Sequence, residues 1–291
     1  MYLAHFGLRE LPFGLTPDPA FAFSARAHQE ALNTLLVAAH GGEGFIKITG
    51  EVGTGKTLLC RRFLAVLAGS AGAGGASAET LSCYLPNPNL TPRTLLLSLA
   101  EELGETLPAT ATAHTAQKRI SQRLLALAAA GRRVVVCIDE AQGLAPVNLE
   151  ALRLLSNLET EKKKLLQIVL FGQPELDTTL ERRDMRQLRQ RIAFQYRLQG
   201  LGRAETGCYL DHRLRVAGNA GATLFGARAI DRLQRASGGT PRLVNILAHK
   251  SLLAAFGEGA AAVEVRHVRA AVKDGGAATA RPRRSWFWLL R

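Results

Sequence analysis

Gly50-Glu51-Val52-Gly53-Thr54-Gly55-Lys56-Thr57 reads G-x-x-x-x-G-K-T, and the rest of the chain is read outward from it. Before it, Gly44-Phe45-Ile46-Lys47-Ile48-Thr49 has the make-up of a short strand; after it, Leu58 to Leu67 is apolar at helical spacing with no breaker. Strand, glycine loop and helix are the setting in which this motif holds phosphate. Glycines let backbone N–H groups turn inward on the β- and γ-phosphates, and the helix N-terminus adds partial positive charge. The stretch from Gly50 to Leu58 is therefore expected to cradle a nucleotide's phosphates. Lys56 is expected to reach the β/γ-phosphates, and the Thr57 hydroxyl to ligate Mg2+. A chance glycine loop is the bland competitor. The flanking pattern and a second, acidic motif argue against it.

That second motif is Arg132-Arg133-Val134-Val135-Val136-Cys137-Ile138-Asp139-Glu140. A continuously apolar run is what a strand buried on both faces of a parallel sheet requires. It ends in two carboxylates. Asp139 is expected to hold Mg2+ directly or through water, and Glu140 to polarise the attacking water. Leu165 to Phe171 is a further buried strand, and Gln173, just beyond it, is a candidate to touch the γ-phosphate or that water.

The chain has 291 residues, 47% hydrophobic, enough for one large domain or two smaller ones. It contains no apolar run of membrane-spanning length and no signal-peptide pattern at Met1-Tyr2-Leu3-Ala4-His5. Cys60, Cys83, Cys137 and Cys208 are widely spaced, which favours reduced thiols over zinc or disulfides and points to the cytoplasm. A formal charge of +13 suits nucleic acid, anionic lipid or an acidic partner without choosing among them.

Strands alternating with helices over residues 44–199 imply a parallel sheet with helices on both sides. Thr91-Pro92 starts one of these helices, as N-cap and first helical residue. Another is expected over Asn148–Glu159. An arginine-dense helix carrying Arg182, Arg183, Arg186, Arg189 and Arg191 then precedes a strand over Phe194–Leu198, where an arginine could reach a neighbouring subunit's nucleotide. A solvated face is the plainer reading of those arginines. From Leu201 onward only helices are expected. Gly238-Gly239-Thr240-Pro241-Arg242 opens one, with Thr240 as cap. Arg242 in that first turn opposes the helix dipole, which suggests contact with phosphate, although solvent would make it tolerable too. The expected map is a segment over 1–43 near the nucleotide site, a core over 44–199, a helical domain over 200–273 and a tail over 274–291. In the tail, Arg281-Pro282-Arg283-Arg284 and Trp286-Phe287-Trp288 suit a bilayer interface as well as they suit a loose terminus.

Taken together, these residues resemble the AAA+ ATPases, and within them the ExeA/GspA general secretion pathway type, near the proteins of MSHA-pilus biogenesis. The blocks that carry the resemblance are Tyr2 to Phe13 with Thr16-Pro17-Asp18-Pro19, GEVGTGKT at 50–57, IDEAQ at 138–142, FGQPEL at 171–176, LRQRI at 188–192 and GGTPRLVN at 238–245. It implies an α/β fold: a three-layer P-loop core with a five-stranded parallel sheet, followed by an all-helical lid. It also implies that Gln173 stands at the sensor-1 position, Arg242 at sensor-2, and Arg191, ahead of Arg189, at the arginine finger. Longer relatives of that type continue into a membrane segment and a cell-wall-binding region; this chain stops where that membrane segment would begin. The reading that follows is ATP hydrolysis with Mg2+ by a homo-oligomer serving pilus or secretion proteins at the cytoplasmic face of the inner membrane. Two rivals stand beside it: a transposition-type ATPase that binds DNA, and a nucleotide-gated scaffold with little turnover. No helix-turn-helix, RNP or zinc pattern supports the first rival.

Overall fold

The computed structural model describes residues 2–16, 18–70, 80–86, 90–159, 164–221 and 223–275. Residues 71–79, 87–89 and 160–163, and the basic-aromatic tail from 276, lie outside them. The strands are β1 (Phe45–Gly50), β2 (Thr80–Leu85), β3 (Arg133–Ile138), β4 (Gln167–Gly172) and β5 (Ile192–Leu198). In chain order the helices are α1 (Tyr2–His5), α2 (Arg26–Gly41), α3 (Lys56–Ser70), α4 (Pro92–Glu102), α5 (Ala113–Ala129), α6 (Pro146–Leu155), α7 (Glu175–Leu180), α8 (Arg186–Arg189), α9 (Arg203–Val216), α10 (Ala227–Ser237), α11 (Pro241–Gly257) and α12 (Val265–Asp274). Two compact units result, one of Arg26–Leu198 and one of Met1–Ala25 with the chain from Gln199.

In the first unit all five strands pair in parallel, in the order β2-β3-β4-β1-β5. Side chains of a strand alternate between faces, so each apolar strand feeds two cores. Val134, Val136 and Ile138 pack with Leu95, Leu99, Ile120 and Leu152 on one side of the sheet. Val135 and Cys137 pack with Leu32, Leu35, Leu59 and Phe63 on the other. This double burial is why β3 and β4 are almost unbroken runs of apolar residues. Strand β5 alternates between half-buried and exposed residues, as an edge strand does.

Three local expectations change. Helix α6 starts at Pro146 and ends at Leu155, four residues short of Glu159. The chain turns back instead, Leu165 N–H donating to the Leu158 carbonyl at 3.1 Å and Glu159 bridging Lys164. The arginine-rich segment is no single helix. Helix α7 ends at Leu180, before the first of the arginines, and the segment itself divides into a 3-10 turn at Arg183–Met185 and α8, because Met185 and Leu188 must both reach the core while Arg182 pairs with Asp184 at 2.9 Å. Strand β5 begins two residues earlier than expected.

The second unit corrects the expectation of one N-terminal segment over 1–43. Tyr2, Phe6, Phe13 and Phe21 are buried with Leu210, Phe225, Leu233, Val244 and Leu252 of the helical unit, whereas α2 packs on the sheet. Their large apolar rings decide the division: each gains more by filling this helical core than by lying on a surface. Phe13 meets Phe225 edge-on at 6.0 Å. Arg213, only 8% exposed, binds the same segment: its Nε donates to the Pro12 carbonyl, and its guanidinium lies 4.8 Å from the centre of the Phe21 ring.

The turn before α11 depends on two left-handed glycines, Gly238 (φ +59°) and Gly239 (φ +71°). Leu201 N–H donates to the Gly239 carbonyl at 2.8 Å, and a Cβ on Gly239 would lie 2.1 Å from the Leu201 carbonyl oxygen. Thr240 stands at the N-cap, but its hydroxyl makes no capping bond, contrary to expectation. Gly259 has a similar φ (+63°) with open space around it. Gly259→Ala should therefore cost about 1 kcal/mol, the price of left-handed backbone alone. Gly239→Ala should cost at least about 2–3 kcal/mol, because backbone must also move. Urea unfolding of both variants checks the ranking; equal losses would show that the close approach is unimportant.

Candidate functional site

The carboxyl ends of β1, β3 and β4 lie side by side, since Thr49 pairs with Gly172 and Ile138 with Leu170. Ligands of open parallel sheets bind along such an edge. Three chain segments converge there: the loop after β1, the acidic pair after β3, and Gln173 after β4.

The loop is held by its own backbone. Gly53 (φ +80°) and Gly55 (φ +93°) take left-handed conformations, and the Thr54 hydroxyl donates to the Glu51 carbonyl at 2.8 Å. Val52 and Leu58 are exposed, so what they bring to the loop is backbone. Lys56 is only 5% exposed, and its Nζ donates to the carbonyls of Gly50 at 2.8 Å and Glu51 at 3.1 Å. Burial draws this ammonium below the ordinary lysine value, opposed by the charges of Glu140, Asp139, Glu51 and Glu175.

The Thr57 hydroxyl donates to Asp139 Oδ2 at 2.7 Å, and Asp139 Oδ1 accepts from the Glu140 N–H at 2.9 Å. Tyr84 OH lies 3.4 Å from the same Oδ2. Among the described residues no three His, Cys, Asp or Glu side chains cluster as a metal cage. One hydroxyl and one carboxylate, both hard oxygen donors, are what Mg2+ needs when phosphates and water complete its shell. Thr57 and Asp139 fit the ion.

Glu140 is the one non-glycine residue with positive φ (+50°) among the described residues. Its Oε2 accepts from Gln142 Nε2 at 2.5 Å and from Gln173 Nε2 at 3.1 Å. Burial pushes its carboxyl up, but those two amides and the Lys56 charge outweigh it, so the group is held below the usual carboxylate range. Lys56, Thr57, Asp139, Glu140 and Gln173 thus gather in one place.

Arg191 does not join them. Arg191 precedes β5 at the end opposite the loop, because Ile192 pairs with Phe45, the first residue of β1. Its Nη1 donates to Ser156 Oγ at 3.2 Å, while Arg189 is exposed. Arg242 is exposed in the first turn of α11, within the helical unit. Cys60, Cys83 and Cys137 are buried free thiols, and Cys208 is exposed. Sequence reasoning missed His28, whose Nε2 lies 2.8 Å from the Thr54 carbonyl, because nothing local links α2 to the loop. It also gave no role to Gln142, although that residue closes the IDEAQ block.

Residues 39–180 match the family model described as an AAA domain. Strands β1 to β4, the loop and the acidic pair lie within that match. The fold is the P-loop AAA fold. Over 259 residues the chain is 43% identical to the general secretion pathway protein A of Aeromonas hydrophila, covering 89% of this chain and 46% of that protein. It therefore spans about half the length of this curated relative. Among solved structures, the Aeropyrum pernix ORC2 protein in its ADPNP-ADP complexes superposes with a TM-score of 0.63 at 17% identity, over 91% of this chain and 73% of that one. The Thermotoga maritima RuvB Holliday junction branch migration motor gives 0.54 at 16% identity, over 91% and 73%. At such identities these two likenesses speak for the AAA fold alone.

Gly55→Ala tests the loop's geometry. Its φ of +93° is closed to a side chain, and a Cβ would stand 2.7 Å from His28 Nε2. Titration with a fluorescent ATP analogue should give at least a tenfold weaker affinity, about 1.4 kcal/mol. Unchanged affinity would show that Gly55 need not hold this conformation.

Proposed function

We propose that this AAA protein is a Mg2+-dependent ATPase whose turnover drives assembly of a type IV pilus of the MSHA kind or a type II secretion-like system. The observation that carries the chemistry is the convergence of Lys56, Thr57, Asp139 and Glu140 at one edge of the sheet. The relation to a general secretion pathway protein supports the setting.

On this reading the loop N–H groups from Gly50 to Leu58 bind the phosphates, and phosphate oxygens compete with the Gly50 and Glu51 carbonyls for the Lys56 ammonium. Mg2+, when bound, would neutralise charge between the β- and γ-phosphates. Thr57 and Asp139 would hold it. The Glu140 carboxylate accepts a hydrogen bond from the attacking water and orients its lone pair toward phosphorus. Glu140 Oε1 accepts no hydrogen bond among the described residues, which leaves it open to that water.

Arg191 stands seven residues of strand from the loop level, roughly 20 Å at the usual rise, so it cannot reach its own site. If it stabilises charge on a γ-phosphate, that phosphate belongs to a second copy. This is the ground for a homo-oligomer. Arg242 is proposed as the helical unit's contribution to the same charge. No described helix is long and apolar enough to cross a membrane. Contact with the cytoplasmic face of the inner membrane is assigned to the basic-aromatic residues 281–291.

Three variants of the full chain test this. Lys56→Ala should abolish ATP binding. Glu140→Gln should bind normally and lose turnover by about a hundredfold or more. Arg191→Ala, inactive alone, should regain activity when mixed with Lys56→Ala, since each copy supplies what the other lacks. Equal loss of binding in the first two variants would refute the division of roles. No recovery on mixing would refute the arginine acting between copies. Turnover that rises only with duplex DNA would move the assignment to the DNA-binding rival.

A further inference from the structure

The side chain of Gln142 occupies a position that the roles above do not use. It lies in the 3-10 turn Ala141–Gly143, half-buried, two residues past Glu140. Its amide faces two groups of opposite character. Nε2 donates to Glu140 Oε2 at 2.5 Å, while Oε1 accepts the backbone N–H of Gln173 at 2.9 Å. Only one orientation of the amide satisfies both, since the carboxylate needs a donor and the N–H needs an acceptor. Gly172 ends β4 beside this turn: a Cβ there would lie 2.8 Å from Leu176 Cδ2, and the Gln142 backbone nitrogen would stand at contact distance, 3.4 Å.

Gln173 completes a ring. Its backbone N–H binds Gln142 and its side-chain amide binds the same Glu140 oxygen at 3.1 Å. One carboxylate oxygen thus carries both amides, and the other, Oε1, carries none among the described residues. A side chain gripped at one oxygen has little freedom to rotate, so its second oxygen is aimed. The backbone of Glu140 is itself in the left-handed region, which a glutamate adopts only when its surroundings hold it there.

We propose that Gln142 is a positioning residue for water attack: it clamps the Glu140 carboxylate to the end of β4 so that Oε1 meets the nucleophilic water. The inference rests on the ATPase reading given above. It makes Gln142 a residue of catalytic geometry with no part in binding nucleotide, and it ties Glu140 to any movement of Gln173.

Two variants separate donor from bulk. Gln142→Ala removes both contacts. Gln142→Glu keeps the size and the acceptor for Gln173 N–H, but sets a carboxylate against Glu140. Steady-state hydrolysis by the full chain should show kcat lowered about tenfold or more in Gln142→Ala and further in Gln142→Glu, with KM and fluorescent-nucleotide affinity within about threefold of wild type. In the Glu140→Gln background, Gln142→Ala should change the residual rate by less than about twofold, since the group it positions is gone. Unchanged kcat in both variants, or affinity falling in step with kcat, would overturn the proposal. A wild-type chain that hydrolyses no ATP would overturn the ATPase reading instead. The clamp is then judged on the nucleotide-free protein by 15N NMR of the Gln142 side-chain amide. Its proton resonances should move upfield in Glu140→Ala; resonances indifferent to that change would show that the clamp does not exist.

Discussion

The hydrogen bond from Thr57 to Asp139 joins two residues 82 positions apart and is the contact on which the site depends. It fastens the first turn of α3 to the end of β3, so that the loop and the acidic pair face each other across one short distance. Nothing local in either segment could set that distance. It follows from parallel pairing, which brings β1, β4 and β3 to the same level at their carboxyl ends, and from Cys60 and Phe63 of α3 packing in one core with Val135 and Cys137 of β3.

Electrostatics then decide what this edge accepts. A buried lysine is costly unless anionic groups surround it, and Lys56 has Glu140, Asp139, Glu51 and Glu175 nearby. Those carboxylates outnumber the cation, so the site calls for further positive charge before it takes in a polyphosphate. On the proposed reading, a divalent ion held by Thr57 and Asp139 would supply it, and the helix N-terminus at Lys56 adds to the same field.

Where the physics is local, the sequence is legible. The glycine loop, the apolar run ending at Asp139-Glu140, and the Thr91-Pro92 helix start are each written in consecutive residues, and each stands where it was expected. The Thr91 hydroxyl accepts from the Thr94 N–H at 3.2 Å, the bond its spacing calls for. Features that rest on distant partners are not legible in this way. The aromatics of residues 1–25 read as part of a segment near the nucleotide site because the helical core that takes them lies some two hundred positions later. The arginine-rich stretch reads as one helix because its periodicity ignores the separate demands of Met185 and Leu188. His28 and Gln142 carry no motif of their own; their parts come from where α2 and the turn after β3 are packed.

The central claim is that Thr57 and Asp139 together form the seat of a divalent ion that accompanies ATP. Calorimetric titration of ATP, with and without Mg2+, into the wild type and Thr57→Val tests it most directly. Valine keeps the shape of threonine and removes the hydroxyl. The account predicts that Mg2+ strengthens ATP binding to the wild type by about tenfold or more and does little for Thr57→Val. An equal gain in both proteins, or none in the wild type, would contradict it.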